Sequence, residues 1–376
     1  MARRKGKSRQ RIRDWKQRYQ AEPEGELPQA RRQRLSRPAV KLPPRELDAG
    51  QEGLDDLPRA EGMIVGLYPG GALVRAGARQ LFCQIAKTFR APEGTTPLAV
   101  GDNVTIALAR PEHVSGDSRA NGQRADGTIL QREPRQTALA RPQPRSGKHR
   151  DEYDTETFEK IIAANMDMLL IVASTREPPL RHGLIDRYLI VAERGELAPL
   201  LAINKIDLGR PDESVLADFS SLGIEIVLCS ALRGDGLDEL RARLAGGRTI
   251  LAGASGVGKS ALINALVPGA DIATRSVRPK DERGRHTTSA AAVYDLPGGG
   301  MVVDTPGIRE LGLHIEPEEL PWYFPEFEGL AGQCRFNDCT HTHEPDCAVV
   351  GAVEAGRILR RRYDSYLRLL DTLEED

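Results

Sequence analysis

A phosphate-binding loop constrains this chain more than any other feature of its sequence. Residues 253–260 read GASGVGKS, which satisfies the pattern G-x-x-x-x-G-K-[ST] at every required position. The segment before the loop (248–252, RTILA) predicts a buried strand, and the segment after it (261–267, ALINALV) predicts a helix. This order is typical of nucleoside triphosphate sites, because loop N–H groups and the helix N-terminus attract phosphate.

The loop and the first helical residue after it supply the candidate phosphate ligands, namely Gly253, Ala254, Ser255, Gly256, Val257, Gly258, Lys259, Ser260 and Ala261. Lys259 is expected to reach the β- and γ-phosphates, and Ser260 to ligate Mg²⁺. The flanking strand and helix argue against the alternative of a glycine-rich turn without a ligand.

Two further motifs predict that the base is guanine. NKID follows the apolar run 198–203, and Ser-Ala-Leu follows the run 225–229. Asp207 is suited to accept hydrogen bonds from the N1–H and the exocyclic amine of guanine, which adenine does not present together. Asn204 is expected to reach N7, the stem of Lys205 to cover the base, and a backbone N–H of Ser230 or Ala231 to meet O6.

Residues after the loop complete a triphosphate site. Thr287 and Thr288, in the segment GRHTTS, offer hydroxyls to Mg²⁺ and the γ-phosphate. The run 301–303 leads into DTPG, where Asp304 is expected to hold Mg²⁺ through water and Gly307 to contact the γ-phosphate. In ordinary GTPases NKxD and SA follow these elements, whereas here they precede them. The order therefore predicts a circular permutation, which keeps the same residues adjacent in space.

Hydrolysis is expected to be slow without a partner. Ile308 occupies the position where Ras-like enzymes place the glutamine that orients the attacking water. His286 is the nearest residue able to position water, and the alternative is a surface histidine without a catalytic role.

The spacing of apolar segments predicts a multidomain fold. Short β-forming runs separated by turn signals predict a five-stranded barrel of the oligonucleotide-binding (OB) type, at residues 62–67, 71–75, 80–85, 103–108 and 127–130. The barrel either contacts RNA backbone or only separates the other parts. From residue 168 onward, apolar runs alternate with helical patterns at 184–192 and 236–244, which predicts a P-loop α/β domain. Residues 132–150 are basic and interrupted by proline, which predicts a linker.

The C-terminal region predicts a metal site. Cys334, Cys339, His341 and Cys347 supply three thiolates and one imidazole, a closed set that suits one structural Zn²⁺. His343 is an alternative imidazole ligand. Apolar residues at helical spacing from Leu359 to Leu370 then predict an amphipathic helix. Its arginines, at positions 357, 360, 361, 362 and 368, either bind RNA or form a solvated face.

Composition limits the remaining function classes. The chain has 376 residues and a formal net charge of −1, and its N-terminus is strongly basic between Arg3 and Arg18. That arm either binds nucleic acid or is a solvated extension without a partner. No apolar run is long enough to span a bilayer, and the N-terminus lacks the apolar core of a signal peptide, so we expect a cytoplasmic protein without a membrane role.

Together these motifs resemble the bacterial family of ribosome small-subunit-dependent GTPases (RsgA, also called YjeQ or EngC). The resemblance rests on IDRYL at 185–189, NKID, GASGVGKS, GRHTT, DTPGIRELGL and the Cys/His cluster. It implies an OB-fold over residues 56–145, a circularly permuted GTPase over 146–315 and a mostly helical zinc module over 316–376. The basic arm over 1–55, which its composition predicts to be disordered, matches the family only weakly. The resemblance also favours His341 as the imidazole ligand.

The resemblance further implies a monomer that binds GTP and GDP and contacts the small ribosomal subunit and its rRNA. It implies GTP hydrolysis stimulated by that subunit, late in the subunit's maturation. An RNA-binding assembly scaffold that uses GTP mainly as a regulatory ligand is the alternative function.

Overall fold

The computed structural model describes residues 57–90, 96–109, 125–143, 158–270, 272, 291–305, 313 and 315–375. These residues fall into two compact units that divide between His314 and Ile315. Several predictions concern segments outside the described residues: the basic arm, the GRHTT segment with His286, Thr287 and Thr288, and the positions of Gly307 and Ile308.

The first unit begins with a closed five-stranded barrel. Its strands are β1 (Arg59–Tyr68), β2 (Gly71–Ala76), β3 (Arg79–Ile85), β4 (Asn103–Leu108) and β5 (Gly127–Arg132). They are arranged in the order β1-β2-β3-β5-β4, with β1 also paired to β4 and only β3 and β5 running parallel. Ile64, Val74 and Ile106 point into the core, because alternate residues of each strand face the interior. The predicted OB-like barrel is confirmed.

A two-stranded antiparallel sheet follows the barrel, formed by β6 (Ala138–Gln143) and β7 (Phe158–Ala164). The linker predicted for residues 132–150 is therefore wrong between positions 138 and 143. Leu139 and Ile161 are both buried, in separate apolar clusters, so each strand contributes a side chain to the core. Pro142 lies within β6, where a sheet of only two strands tolerates the missing N–H. The charged and proline residues concealed this strand in the sequence.

A buried ion pair joins the barrel to the segment that leads into β6. The Asp102 side chain is fully buried, and Arg135 donates to both of its oxygens at 2.7 and 2.8 Å. The Ala99 N–H also donates to this carboxylate, at 2.7 Å. Nearby, the Asn165 amide donates to the Gly101 carbonyl at 3.0 Å, which links the end of β7 to the same barrel loop. The bonds from Arg135 and Ala99 compensate for the removal of the Asp102 carboxylate from water.

The α/β part of the first unit contains a six-stranded sheet. Its strands are β8 (Met168–Ser174), β9 (Ala198–Asn204), β10 (Glu225–Leu228), β11 (Arg248–Ala252), β12 (Ala292–Asp295) and β13 (Met301–Asp304). The sheet order is β10-β9-β8-β11-β13-β12, and only β12 runs antiparallel to its neighbour. The described helices of this part are α1 (His182–Arg194), α2 (Glu213–Ser220), α3 (Leu237–Leu244) and α4 (Lys259–Leu266).

Separate apolar clusters cover the two faces of this sheet. One contains residues of α1 and α2, including Ile185 and Phe219, and the other contains residues of α3 and α4, including Leu240 and Leu262. Successive residues of β8 enter alternate clusters, which explains its uninterrupted apolar sequence. The predicted strand buried on both faces is confirmed.

The second unit, residues 315–375, is mostly helical. It contains α5 (Ala348–Glu354), α6 (Arg360–Glu375) and 3₁₀ turns at Pro317–Tyr323, Pro325–Phe327 and Ala331–Gln333. Tyr366 of α6 packs edge-on against Phe324 and Phe327, with ring centroids 5.3 and 4.9 Å apart. The predicted C-terminal helix is confirmed, although Leu359 lies before its first residue and is exposed.

Arg362 departs from the prediction of an exposed basic face on this helix. Its side chain is only 4% exposed, and two of its nitrogens donate to the Glu326 carboxylate, the longer contact being 3.1 Å. The guanidinium also lies over the Phe324 ring, 4.6 Å from its centroid. Helical spacing alone does not reveal that a charged residue has a buried partner.

No helix among the described residues combines the length and apolar character needed to cross a bilayer.

Candidate nucleotide site and metal centre

The phosphate loop joins β11 to α4, as the sequence predicts. Gly253, Gly256 and Gly258 have φ angles of 147°, 83° and 95°, in the region that favours glycine. At two of these positions any side chain would also clash with neighbouring atoms. A Cβ at Gly253 would lie 2.3 Å from the Val172 carbonyl oxygen, and a Cβ at Gly258 would lie 2.4 Å from the Asn204 Nδ2 atom. The loop is therefore packed between the carboxyl ends of β8 and β9.

Lys259, at the start of α4, is oriented by the loop itself. Its ammonium group donates to the carbonyl oxygens of Gly253 and Ala254, both at 2.7 Å. These contacts hold the charge over the loop, next to the N–H groups at the beginning of α4. A cation and a helix N-terminus in one place attract an anion of the size of a polyphosphate.

Asn204 joins three segments of the site. It is the last residue of β9, and its side chain is 2% exposed. Its Nδ2 donates to the Val257 carbonyl in the phosphate loop at 3.0 Å, and its Oδ1 accepts the Ala231 N–H at 3.0 Å. The sequence assigned this amide to the base, and the structure adds a structural role that ties the NKID turn to both the SAL segment and the phosphate loop.

The carboxylate of Asp207 lies next to Ser230. The Ser230 hydroxyl donates to Asp207 Oδ1 at 2.6 Å and accepts the Arg233 N–H at 3.1 Å. Ser230 is fully buried and Asp207 is half-buried, so this bond orients the carboxylate while leaving it accessible. The structure thus brings NKID and SAL together, although they lie on separate strands.

Lys205 has a left-handed backbone, with a φ angle of 63°. Thr175, which follows β8, supports this turn because its hydroxyl donates to the Lys205 carbonyl at 2.9 Å. The Lys205 ammonium donates to the Glu177 carbonyl. Thr175 and Glu177 were missed in the sequence, where neither belongs to a nucleotide-binding motif. The only signal was their position just beyond a fully buried strand.

Asp304 ends β13, the strand beside β11, so it lies at the same edge of the sheet as the phosphate loop. On the neighbouring β12, burial of the Tyr294 hydroxyl and, to a smaller extent, the charge of Asp304 raise the pKa of Tyr294. Ser260 is the second residue of α4, directly after Lys259. A hydroxyl and a carboxylate are oxygen donors of the kind that Mg²⁺ prefers, so both residues fit the predicted role.

The predicted metal ligands converge in the second unit. The ligating atoms of Cys334, Cys339, His341 and Cys347 all lie within 4.8 Å of one another. The Cys334 and Cys347 sulfurs are 3.9 Å apart, and His341 Nδ1 lies 3.6 and 3.5 Å from them. Tetrahedral Zn²⁺ with ordinary bond lengths would separate two sulfurs by about 3.8 Å and a sulfur from a nitrogen by about 3.5 Å. The cluster has the size of a closed tetrahedral metal site.

The electrostatics of the cluster also favour a bound cation. Burial raises the pKa of the Cys339 and Cys347 thiols, so adjacent thiolates are unfavourable here unless a cation compensates their charge. Burial lowers the pKa of His341, which keeps the imidazole in the neutral form that binds metal. His343 is exposed and its Nδ1 faces the Thr342 hydroxyl at 2.8 Å, so the geometry selects His341 over His343.

Neighbouring residues hold the loop that carries these ligands. The Glu344 carboxylate accepts the backbone N–H groups of Thr340 and Thr342 at 2.7 and 3.0 Å. From α6, the Tyr363 and Tyr366 hydroxyls donate to the carbonyls of His341 and Thr340, at 2.8 and 2.7 Å. Glu344 was not predicted from the sequence, where its only signal was an acidic side chain between two metal ligands.

Known proteins share this combination of parts. A family model described as "RsgA GTPase" matches residues 132–314. A small ribosomal subunit biogenesis GTPase RsgA from Chlorobaculum tepidum is 42% identical over 287 residues, which cover 75% of this chain and 88% of the relative. The chain belongs to the RsgA GTPase family.

Solved structures of two further proteins resemble this RsgA-family chain. YjeQ from Thermotoga maritima is 31% identical, with a TM-score of 0.62, and the match covers 85% of this chain and all of that one. YloQ, described as a circularly permuted GTPase, is 26% identical, with a TM-score of 0.60, and the match covers 85% of this chain and 96% of that one. The permuted order inferred from NKID and the phosphate loop agrees with this neighbour.

Proposed function

We propose that this chain hydrolyses GTP to GDP and phosphate as a late maturation or checkpoint factor of the small ribosomal subunit. The proposal rests mainly on the hydrogen bonds of the Asn204 side chain. Its amide donates to the Val257 carbonyl in the phosphate loop and accepts the Ala231 N–H of the SAL segment. A guanine-recognition motif and a triphosphate-binding loop therefore share one set of hydrogen bonds. Family membership supports the same conclusion.

Base recognition is proposed to rest on Asp207. One of its oxygens already accepts the Ser230 hydroxyl, and the carboxylate has room for the N1–H and exocyclic amine of guanine. Asn204 and Lys205 are proposed to contact N7 and the face of the base. Because the Ala231 N–H donates to Asn204, the contact of this loop with O6 stays a prediction.

Phosphate binding is proposed for residues 253–261, with Lys259 on the β- and γ-phosphates. Ser260 and Asp304 would hold Mg²⁺, which neutralises charge on the phosphates when bound. Thr287, Thr288 and Gly307 stay predictions for the γ-phosphate region. His286 is proposed to position water, because Ile308 lacks a polar side chain.

We propose Zn²⁺ as the ion of the Cys334, Cys339, His341 and Cys347 cluster. Three thiolates and one imidazole are soft and borderline ligands that suit this metal, and four protein ligands leave no position for a reacting water. The metal would therefore stabilise the second unit, whose described core is small, rather than take part in hydrolysis.

The proposed partner is the small ribosomal subunit, which the printed names of the relatives include. The barrel and the exposed arginines of the second unit are proposed to contact rRNA, with the protein acting as a cytoplasmic monomer. A scaffold that merely binds GTP is less consistent with Lys259, Ser260 and Asp304 all being present.

Base selectivity tests the nucleotide part of the proposal. Asp207→Asn should weaken GTP binding and improve XTP binding, because xanthine replaces the exocyclic amine with a carbonyl that an amide can match. Asp212→Asn, the same change at an exposed position before α2, should leave both affinities unaltered. Unchanged preference in Asp207→Asn would remove this carboxylate from the base site.

Sedimentation tests the partner. The chain with a non-hydrolysable GTP analogue should pellet with purified small subunits and not with large subunits. Equal association with both subunits, or with neither, would contradict the proposed partner while leaving GTP binding intact. Zinc content measured on the same preparation should approach one ion per chain.

A further inference from the structure

The chain that leaves α4 is bound by a side chain of the same helix. Asn264 Nδ2 donates to the Ile272 carbonyl at 2.9 Å, and Asn264 Oδ1 accepts the Ile272 N–H at 3.1 Å. One amide therefore pairs with both backbone groups of one residue, as a neighbouring strand would. The nucleotide-binding motifs give this asparagine no role.

Helix formation does not explain an asparagine at this position. The helix α4 has only eight residues, and asparagine favours a helix less than alanine or leucine does. The buried positions of α4 are Leu262, Ile263 and Leu266, which pack in the cluster shared with α3. Asn264 is half-buried beside this apolar face, so its amide is available to the chain that folds back.

The two hydrogen bonds fix Ile272 near the magnesium end of the nucleotide site. Ser260, the predicted Mg²⁺ ligand of α4, lies four residues before Asn264, and residues at this spacing share one face of a helix. Side chains of a helix lean toward its N-terminus, which brings the residue bound by Asn264 closer to Ser260. The backbone of Ile272 is therefore held within about one helical turn of this ligand.

The connection between α4 and β12 is also fixed at its other end. Ala292, the first residue of β12, is paired with Asp304 at the end of β13. Between these two ends the sequence contains Thr287 and Thr288, which are predicted for the γ-phosphate region. The connection that carries them thus has one predicted Mg²⁺ ligand next to each end.

We propose that Asn264 is a positioning residue for the γ-phosphate, which favours GTP over GDP because it fixes the start of this connection. This inference rests on the proposed function. GDP lacks the phosphate that Thr287 and Thr288 are predicted to reach, so loss of the two Asn264 bonds should affect GTP selectively. An asparagine that only stabilises the fold would affect the two nucleotides equally.

The test compares Asn264→Ala with Arg241→Met in the full chain. Arg241 of α3 donates to the Ala265 carbonyl at 2.7 Å, so its loss removes a hydrogen bond from the same part of α4 without involving Ile272. Affinities for fluorescent GDP and for a fluorescent non-hydrolysable GTP analogue are measured by titration in the presence of Mg²⁺. A loss of stability that both complexes share leaves the ratio of the two affinities unchanged.

Asn264→Ala should weaken binding of the GTP analogue roughly tenfold relative to GDP, which is the effect of one lost hydrogen bond to a charged group. Arg241→Met should keep the parental ratio. If alanine prevents folding, Asn264→Leu keeps the side-chain volume and should give the same shift. A parental ratio in the folded Asn264 variant, or an equal shift in Arg241→Met, would overturn the inference. Failure of the parent protein to bind GDP and the GTP analogue would instead refute the proposed function.

Discussion

Replacing Asn204 with alanine is the sharpest test of how the site is built. If this amide only recognises the base, its loss should affect nucleotide binding alone. In the structure it also bonds the Val257 carbonyl and the Ala231 N–H, both at 3.0 Å, in a position that is 2% exposed. Asn204→Ala should therefore destabilise the protein even without nucleotide.

The magnitude follows from the two lost bonds. Each leaves a backbone group without its partner, which costs about 1–3 kcal/mol for a buried group, so the total is about 2–6 kcal/mol. A domain of this size loses about 2–4 °C of midpoint per kcal/mol. The thermal transition without nucleotide should then fall by roughly 4–24 °C.

Circular dichroism during heating measures this shift, and Asp207→Asn is the matched control. Asp207 is half-buried, and an asparagine keeps the oxygen that accepts the Ser230 hydroxyl. That control should lower the midpoint little while altering base preference. If Asn204→Ala melts at the same temperature as Asp207→Asn, the joining role of Asn204 is refuted.

Three further substitutions test other parts of the account. Arg135→Met removes the guanidinium that donates to both oxygens of the fully buried Asp102 carboxylate and leaves only the Ala99 N–H and Arg132, 3.8 Å away, so it should cost about 2–4 kcal/mol in denaturant unfolding; a loss below about 1 kcal/mol would contradict the buried pair. Gly258→Ala forces a Cβ to 2.4 Å from Asn204 Nδ2 and should weaken GDP binding at least tenfold by titration, so unaltered affinity would mean that the loop adopts another path. Glu344→Gln removes the charge that organises the metal loop and should speed zinc loss to a chelator by roughly 10-fold, whereas parental release would exclude that role.

The strands with a regular apolar pattern, in the sheet and in the barrel, were the most predictable part of the fold. The apolar run of β8 and the alternating runs of the barrel leave few arrangements that remove them from water. By contrast, β6 contains Arg141 and Pro142 and could not be recognised, because its pairing with β7 depends on a contact distant in the sequence. The burial of Arg362 was missed for the same reason, since its partner Glu326 lies in another structural element.

The functional residues show the same difference between local signals, which the sequence contains, and distant contacts, which it does not. Fixed spacing identified the phosphate loop, NKID and the metal ligands, because local backbone geometry imposes that spacing. The choice between His341 and His343 required three dimensions, since both offer an imidazole and only burial and direction distinguish them.

Turnover of GTP with and without ribosomal subunits decides whether this chain is a small-subunit-dependent GTPase. Hydrolysis by the chain alone should be slow, and purified small subunits should accelerate it markedly, with Lys259→Ala inactive under both conditions. Large subunits at the same concentration should not accelerate it. Turnover that is unaffected by small subunits, or raised equally by large ones, would contradict the claim that this chain is a small-subunit-dependent GTPase.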